Sequence, residues 1–425
     1  MQRLTIIIFF CLASMMPTFA QSGFPSPDST TPVPLETFIR EALEKNPIIH
    51  SAEQQYNAVL SRVPQVRSLD DPILSYTHWF SSVETRVGPM QNSLRLSQRF
   101  PFFGKLRLRG KMAEQDGEVA GQHHHAIRRD VIFRVKITYF DLYRIDRSIA
   151  ILREYRELLK RFQKVAARKY ATGIGTRVNV LKAQVEIAAL QEQIINFTQI
   201  REGAVARLNA LLGRDETHSI AQITEIDTSL LALTEAEILE AAFAAREELQ
   251  SAEAQIRKAQ FAIRLAKRNF FPDVTLALSY TTIPSGRTPA IDRGKDPWAL
   301  QVGINLPIYR GKRKAAVEEA RALRNSQQLY YRNLRNEVVA EIRELHARLK
   351  ASEQTMVLYQ RQLLPDARQT LQSALSAYQT GSLDFLSLLD SERMLLQFRL
   401  AYVEELSDYR QIAAALQRAM GRDLP

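Results

Sequence analysis

Cysteine is almost absent from this sequence of 425 residues, in which Cys11 is the single example. Cys11 lies in MQRLTIIIFFCLASMMPTFA, where Arg3 is followed by an apolar segment and by the small-residue ending of a secretory signal peptide. We expect cleavage after Ala20, which would leave an exported chain without disulfides, reactive thiols or cysteine-ligated metals. Ile8-Phe9-Phe10, which precede Cys11, do not form a lipobox, so no lipid anchor is predicted.

Long apolar runs and enzymatic signatures are also missing. Beyond the signal peptide no run of about 18 apolar residues occurs, so no transmembrane α-helix is predicted. The sequence contains no HExxH, P-loop, GxGxxG or evident Ser-His-Asp grouping. His123, His124 and His125 are consecutive, and consecutive helical residues point about 100° apart, so these side chains cannot surround one ion. We expect no enzymatic activity, no cofactor and no metal site.

Acidic residues are fewer than basic ones, with 46 Asp and Glu against 57 Lys and Arg. A basic chain can bind nucleic acid or anionic lipid. Nucleic acid is an improbable partner for an exported protein. Most of the basic residues alternate with acids along helical segments, which is typical of a solvated helical face.

The sequence is an internal duplication, and this repeat organises the whole chain. Motifs recur in order with an offset that grows from about 200 to about 208 residues, and the jump between Pro272 and Pro307 predicts a longer loop in the second copy. We expect a signal peptide (1–20), a Pro-rich segment (21–34) and two repeats (35–232 and 233–425). The matches include Ser51-Ala52-Glu53 with Ser251-Ala252-Glu253, Pro72 with Pro272, Gly104-Lys105 with Gly311-Lys312, and Gly213-Arg214-Asp215 with Gly421-Arg422-Asp423.

Each repeat predicts the same order of elements and a mainly α fold. The order is a helix (about 35–63 and 233–268), two strands (about 72–100 and 272–306), a very long helix (about 104–170 and 312–378), a glycine break (about 171–177 and 379–385) and a return helix (about 176–211 and 384–420). The first long helix would measure roughly 100 Å, a length that requires coiled-coil packing. Pro365 is expected to kink or break the second long helix.

Three of the four predicted strands alternate apolar and polar residues with period two, and the first, ILSYTHWF (73–80), does so less cleanly. Their length and pattern fit transmembrane β-strands with the polar face turned to a lumen, although a soluble half-buried hairpin has the same local pattern. Four strands cannot close a barrel, and open edges are costly in lipid. The sequence therefore predicts an oligomer in which several chains share one β-barrel, next to a long helical tube. The predicted lumen residues are Arg95, Arg99, Gln301 and Asn305.

These features resemble the TolC-type outer membrane efflux proteins over almost the whole mature chain. The resemblance is carried by the duplicated layout, by SQRFPFFGKLRLR (97–109) and NLPIYRGKRK (305–314), and by the Y-x-T-G breaks followed by VNVLKAQ and LSLLDSE. It implies a homotrimer with a 12-stranded outer membrane barrel and a periplasmic α-helical tunnel. It also implies a periplasmic adaptor protein and an inner-membrane pump of the RND type as partners.

In this family the glycine breaks are the tips of helical hairpins, which form the periplasmic entrance. The resemblance implies that Tyr378 is a gating tyrosine and that Asp390 lies in a ring of acids at the constriction. Ser387 and Asn179 occupy two positions where acids are expected, and Leu383 occupies a basic position. We therefore expect an entrance held by Tyr378 and packing more than by ion pairs. The predicted tip and adaptor contacts are Gly173, Gly175, Thr176, Gly381 and Ser382.

Basic residues follow the predicted strands at the point where the barrel would leave the membrane. We expect them to face anionic headgroups of the outer membrane, and a solvated helix start is the alternative. The cluster comprises Lys105, Arg107, Arg109, Lys312 and Arg313.

The predicted function is a passive efflux duct, and a soluble periplasmic coiled-coil adaptor or scaffold is the alternative. The FPFFGK segment (100–105) resembles the heavy-metal-efflux branch of the family more than the protein-exporting branch. The sequence itself does not identify the cargo.

Overall fold

The computed structural model describes residues 34–215, 217–231, 234–284 and 295–422. The predicted signal peptide and nearly all of the Pro-rich segment lie outside this part of the chain. So do residues 232–233, where the predicted repeats meet, and most of the predicted longer loop. The described elements are α1 (Leu35–Lys45), α2 (Pro47–Arg67), β1 (Ile73–Thr85), β2 (Gly88–Phe100), α3 (Lys105–Ala171), α4 (Arg177–Leu212), α5 (Glu235–Ala245), α6 (Glu247–Arg268), β3 (Val274–Thr282), β4 (Trp298–Ile304), α7 (Arg310–Leu358), α8 (Leu364–Thr380) and α9 (Phe385–Met420).

The first helix of each repeat is divided in two, where the sequence predicted one continuous helix. In the first repeat the division lies at Asn46, whose side chain accepts a hydrogen bond from the Ile48 amide at 3.0 Å and donates one to the Leu211 carbonyl at 2.8 Å. Pro47 then starts α2, a position where its missing amide proton costs nothing. In the second repeat the division lies at Arg246, which has extended backbone angles.

The sequence predicted a kink or a break at Pro365, and the structure has a π-helical turn just before this residue, through which the helix continues without a break. This turn, Tyr359–Leu363, joins α7 directly to α8, and Pro365 lies in the first turn of α8. Proline cannot donate to the carbonyl four residues earlier and its ring crowds that carbonyl. The wider π turn just before Pro365 absorbs this mismatch within a continuous helix.

The four strands form one antiparallel sheet in the order β1-β2-β3-β4. Leu74, Leu96, Leu278 and Leu300 are paired across the sheet and therefore lie on one face. The neighbouring row, Ser75, Arg95, Ser279 and Ala299, lies on the opposite face. One face is thus apolar and exposed in the single chain, the other is mainly polar, and within the described residues β1 and β4 each have one unpaired edge.

The helices form a wall in which α3 spans the whole length. Its 67 residues correspond to roughly 100 Å. Near the sheet α3 packs on α2 and α6, and further along it packs on α4 and α9; α7 packs on α6 and α9. A continuous core runs between these helices, and its fully buried members include Leu142, Ile145, Leu208, Ile342 and Tyr409. None of the described helices is long and apolar enough to span a membrane.

Candidate functional site

The two hairpin turns have matching backbones. Gly173 has φ +77° and Gly381 has φ +83°, in the left-handed region that glycine adopts without strain. The threonine before each glycine donates its hydroxyl to helix carbonyls, Thr172 to Lys169 at 3.1 Å and Thr380 to Ala377 at 3.0 Å. The repeated Thr-Gly pair therefore ends each outgoing helix in the same way.

The remaining predicted tip residues take part in the same two turns. Thr176 precedes α4 in an extended conformation, but its side chain makes no capping hydrogen bond. At Gly175 a Cβ atom would lie 3.1 Å from the Lys169 Cβ, so the first turn is compact there. Ser382 donates its hydroxyl to the Ala377 carbonyl at 3.1 Å.

The repeated tyrosines have different environments. Tyr378 is 5% exposed, whereas Tyr170, its counterpart in the first hairpin, is 50% exposed. The Tyr378 ring packs on Phe385, with 5.5 Å between the ring centroids. Burial raises the pKa of the Tyr378 phenol above its ordinary value of 10.0, which further favours the neutral side chain. The Tyr378 ring is therefore packed between the two helices of its hairpin, whereas the Tyr170 ring is half exposed to solvent.

Lys169 connects the first hairpin to Tyr378 of the second. Its ammonium group lies 4.3 Å from the centre of the Tyr378 ring and donates a hydrogen bond of 2.5 Å to the Tyr378 carbonyl. Such a cation–π contact contributes roughly 0.5–1 kcal/mol at a partly exposed site. The sequence interpretation missed Lys169, since the residue at the matching position of the second repeat is Ala377 and no motif marks it.

Asp390 is the acid that the sequence interpretation assigned to the constriction. The Asp390 side chain is 61% exposed and lies 3.4 Å from Arg393. Ser387 is part of the first turn of α9, and its carbonyl accepts the Ser391 hydroxyl at 2.9 Å. Asn179 is half-buried in the first turn of α4. Within the described chain no hydrogen bond joins Asp390, Ser387 and Asn179 to one another.

Two further polar contacts of the hairpins escaped the sequence interpretation. Asp384 caps α9 by accepting the Ser387 amide at 2.7 Å, and this hydrogen bond lowers the pKa of its carboxyl. An Asp directly before an apolar helix start is a known capping signal and could have been recognised. Arg393 on α9 pairs with Glu186 on α4, which forms a second link between the hairpins.

At the sheet, the predicted lumen residues have different roles. Arg95 donates to Gln301 at 2.7 Å on the polar face. Arg99 pairs with Asp273 at 2.5 Å. Asn305 lies one residue beyond β4, where its side chain accepts the Asp273 amide at 2.5 Å, so it fixes the strand end.

The expectation that Lys105 faces lipid headgroups is wrong. Lys105 is 4% exposed, and its ammonium group lies 2.7 Å from Asp273 and 3.1 Å from the Phe271 carbonyl. Burial raises the pKa of Asp273, but hydrogen bonds from Lys105, the Phe102 amide and Arg99 outweigh it and bring the pKa to about 2. Lys105 therefore joins the start of α3 to the second repeat.

The other members of the basic cluster remain at the surface. Arg107, Arg109 and Lys312 are exposed, and Arg313 is half-buried and donates to the Asn269 carbonyl at 2.8 Å. These cations flank the ends of the sheet. In the described part of the chain, no group of three or more His, Cys, Asp or Glu residues could hold a metal ion.

Comparison with known proteins identifies the family to which this sequence belongs. Residues 38–214 and 238–422 match the outer membrane efflux protein family, and together they make up most of the sequence. The chain belongs to this family. The match supports the efflux interpretation and gives no support to the soluble adaptor.

Individual relatives of this efflux protein extend over nearly its full length. The cobalt-zinc-cadmium resistance protein CzcC of Cupriavidus metallidurans is 22% identical over 99% of this chain and 100% of its own length. The cation efflux system protein CusC of Escherichia coli O157:H7 is 26% identical over 91% of this chain and 85% of its own.

Solved structures share the fold. Crystal structures of CusC match with a TM-score of 0.78 at 20% identity, covering 91% of this chain and 92% of that chain. The outer membrane protein VceC from Vibrio cholerae matches with a TM-score of 0.74 at 21% identity, covering 92% of this chain and 97% of that chain. The fold is therefore that of the outer membrane efflux channels, with a helical barrel and a β domain.

Proposed function

We propose that this protein forms a homotrimeric exit duct through the outer membrane and contributes four strands per chain to one 12-stranded barrel. The observation that carries the proposal is the sheet, which has one exposed apolar face, one polar face and two unpaired edges within the described chain. Unpaired edges in lipid are costly, and pairing β1 of one copy with β4 of the next removes them. The duct has no catalytic role.

The helical wall supports the same assembly. Val178, Leu181 and Val185 form an exposed apolar stripe on α4, with exposures of 55%, 48% and 66%. Their spacing of three and four residues is that of a coiled-coil seam. We propose that this stripe packs on the neighbouring copy, which would close the wall into a tunnel.

The hairpin tips form the proposed periplasmic entrance and dock an adaptor joined to an RND-type inner-membrane pump. Tyr378 and its contact with Lys169 hold the second hairpin in place, and Asp390 of each copy contributes to an acidic constriction. A groove between α8 and α9, with a volume of about 650 Å³ and lined by Thr370, Ser373 and Ala377 among others, offers the adaptor a docking surface.

Metal cations are the proposed cargo. CzcC, which this chain matches over its whole length, is named for resistance to cobalt, zinc and cadmium, and CusC is named for cation efflux. Deletion of the gene is expected to raise sensitivity to these metals and to leave sensitivity to antibiotics and solvents unchanged. Unchanged sensitivity to these metals with raised sensitivity to antibiotics or solvents would contradict the proposed cargo and would not affect the proposal of an exit duct.

A pair of sheet variants tests the duct itself. Leu300→Arg places a charge on the apolar face, where it costs roughly 2–4 kcal/mol in the bilayer, and Ala299→Arg places it on the polar face. We expect Leu300→Arg to abolish heat-modifiable trimers in the outer membrane fraction and Ala299→Arg to retain them. Wild-type protein found as a soluble monomer would contradict the proposal.

A further inference from the structure

Glu392 is a buried carboxylic acid on the apolar side of α9, near the start of the helix. It is 1% exposed, and its Oε1 atom has no hydrogen-bond partner within the described chain. Leu388, Leu389, Leu395 and Leu396 on the same helix are buried around it. An ionised carboxylate in such a site loses its hydration without compensation, so the neutral form is favoured.

Few charged groups interact with the Glu392 carboxyl, and the acid among them, Glu186, opposes its ionisation. Glu186 on α4 repels a negative charge at Glu392, and Arg393 on α9 attracts it. Arg393 is already shared by Glu186 and Asp390, which reduces its effect on Glu392.

The other helices packed at this level contribute no counter-ion. On α3 the nearby group is Tyr155, whose pKa burial raises to about 12, so it carries no charge. Arg399 of α9, which lies next to Tyr155, is paired with Glu154 of α3 at 2.8 Å. The charged residues of α8 are Asp366 and Arg368, and Arg368 acts on Glu154.

Burial and, to a smaller extent, Glu186 raise the pKa of Glu392 to about 7, against the lowering effect of Arg393. This carboxyl thus changes its charge near neutral pH. Asp390, two residues away, is an exposed carboxyl. At the matching position of the first hairpin stands Gln184, which is exposed and cannot ionise.

We propose that Glu392 is a proton-operated switch that holds the second hairpin against α3 while it is protonated and loosens it on ionisation. The consequence for transport rests on the proposed function of the tips as the entrance. A loosened α9 admits water to the carboxylate, and the Tyr378 end of the hairpin is then free to move outward.

The direction follows from proton linkage. The packed state has a carboxyl pKa of about 7, and the loosened, hydrated state has the ordinary value near 4.5. Between these two values the packed state binds more protons, so the loosening equilibrium increases by up to about tenfold per pH unit. It levels off above neutral pH and is lowest in acid.

Hydrogen–deuterium exchange of the purified full chain in detergent, from about pH 5 to about pH 8, tests the switch. Exchange in residues 385–396 is divided by exchange in residues 412–420 of the same helix, so that the intrinsic pH dependence cancels. We expect this ratio to rise at least tenfold toward neutral pH. Glu392→Gln should keep the low ratio at every pH. Asp390→Asn should keep the rise, with its midpoint moved to lower pH, because Arg393 loses one of its two other partners.

A second variant keeps the test independent of the stability of Glu392→Gln. Glu186→Gln removes the repelling charge and frees Arg393, so it should move the midpoint to lower pH. A ratio that does not change with pH, or a rise that persists in Glu392→Gln, would overturn the switch. Bilayer conductance is a separate readout: an exchange switch without any conductance would contradict the proposed duct and leave the switch standing.

Discussion

The hairpin at Gly173 and the hairpin at Gly381 have the same backbone and bury very different side chains. Their return helices, α4 and α9, both have 36 residues, yet α4 buries seven side chains and α9 seventeen. The helix α4 stands at the edge of the single-chain wall, whereas α9 lies between α3, α7 and α8. Duplication has therefore kept the turn, while the place of each hairpin in the wall determines which side chains are buried.

The same asymmetry occurs at the sheet end of the chain. Asp273 follows the repeated Pro272 and binds Lys105 and Arg99, which belong to the first repeat. The residue after Pro72 is Ile73, which is 65% exposed. The contacts that join sheet and helices are thus made between repeats, by a residue that one repeat has and the other lacks.

The largest expected effect comes from Asp273→Ala. It leaves the buried ammonium group of Lys105 without its partner, which costs about 3–5 kcal/mol. We expect a large fall in the urea midpoint of unfolding. Ile73→Ala, at the matching exposed position, should change stability by less than about 1 kcal/mol. Equal effects of the two variants would contradict the asymmetry.

The lowered pKa of Asp273 also gives a pH dependence. Its stabilising effect is complete above the ordinary carboxyl pKa of 3.8 and is lost as the pH falls toward about 2. Asp273→Asn should therefore lose much of the extra acid sensitivity that the wild type shows in this interval. Unfolding midpoints measured across the same pH range compare the two proteins directly.

The next effect concerns the two tyrosines. Tyr378→Ala removes a buried ring between Phe385 and Lys169 and should cost about 3 kcal/mol, as other core aromatic truncations do. Tyr170→Ala removes a half-exposed ring and should cost less than about 1 kcal/mol. Thermal unfolding measures both, and bilayer recordings should show higher resting conductance for Tyr378→Ala alone. A leak of the same size in Tyr170→Ala would make the tips equivalent.

Much of the layout was predictable from the sequence, because it depends on local patterns. Period-two alternation predicts β2, β3 and β4 clearly and β1 less clearly, and the paired Thr-Gly motifs predict the turns. What the sequence did not predict depends on distant partners. Lys105 is buried because Asp273 lies 168 residues away in sequence and next to it in space. Glu392 is buried while its counterpart Gln184 is exposed, and nothing local distinguishes the two positions.

The turn glycines Gly173 and Gly381 are the feature in which the two hairpins are alike. A Cβ atom at Gly173 or Gly381 would meet nothing within 4 Å. The cost of an alanine there therefore comes only from the strain of a left-handed backbone conformation. Gly173→Ala and Gly381→Ala should each cost about 1 kcal/mol and should agree with one another. Gly421→Ala should cost more, because its Cβ would lie 2.7 Å from the Ala245 backbone. Unequal costs at the two tips would indicate that they differ in the backbone as well.

The smallest expected difference concerns the first turn of each return helix. Asp384 accepts the Ser387 amide at the start of α9, whereas Thr176 at the start of α4 makes no side-chain cap. Because an N-cap side chain satisfies an amide that otherwise has no partner in the helix, Asp384→Ala should increase hydrogen exchange at the start of α9. Thr176→Ala should leave exchange at the start of α4 nearly unchanged. Asp384→Asn keeps the capping oxygen and is the control that separates the cap from the charge. If Asp384→Asn exchanged as fast as Asp384→Ala, the carboxylate charge rather than the hydrogen bond would distinguish the two hairpins at this turn.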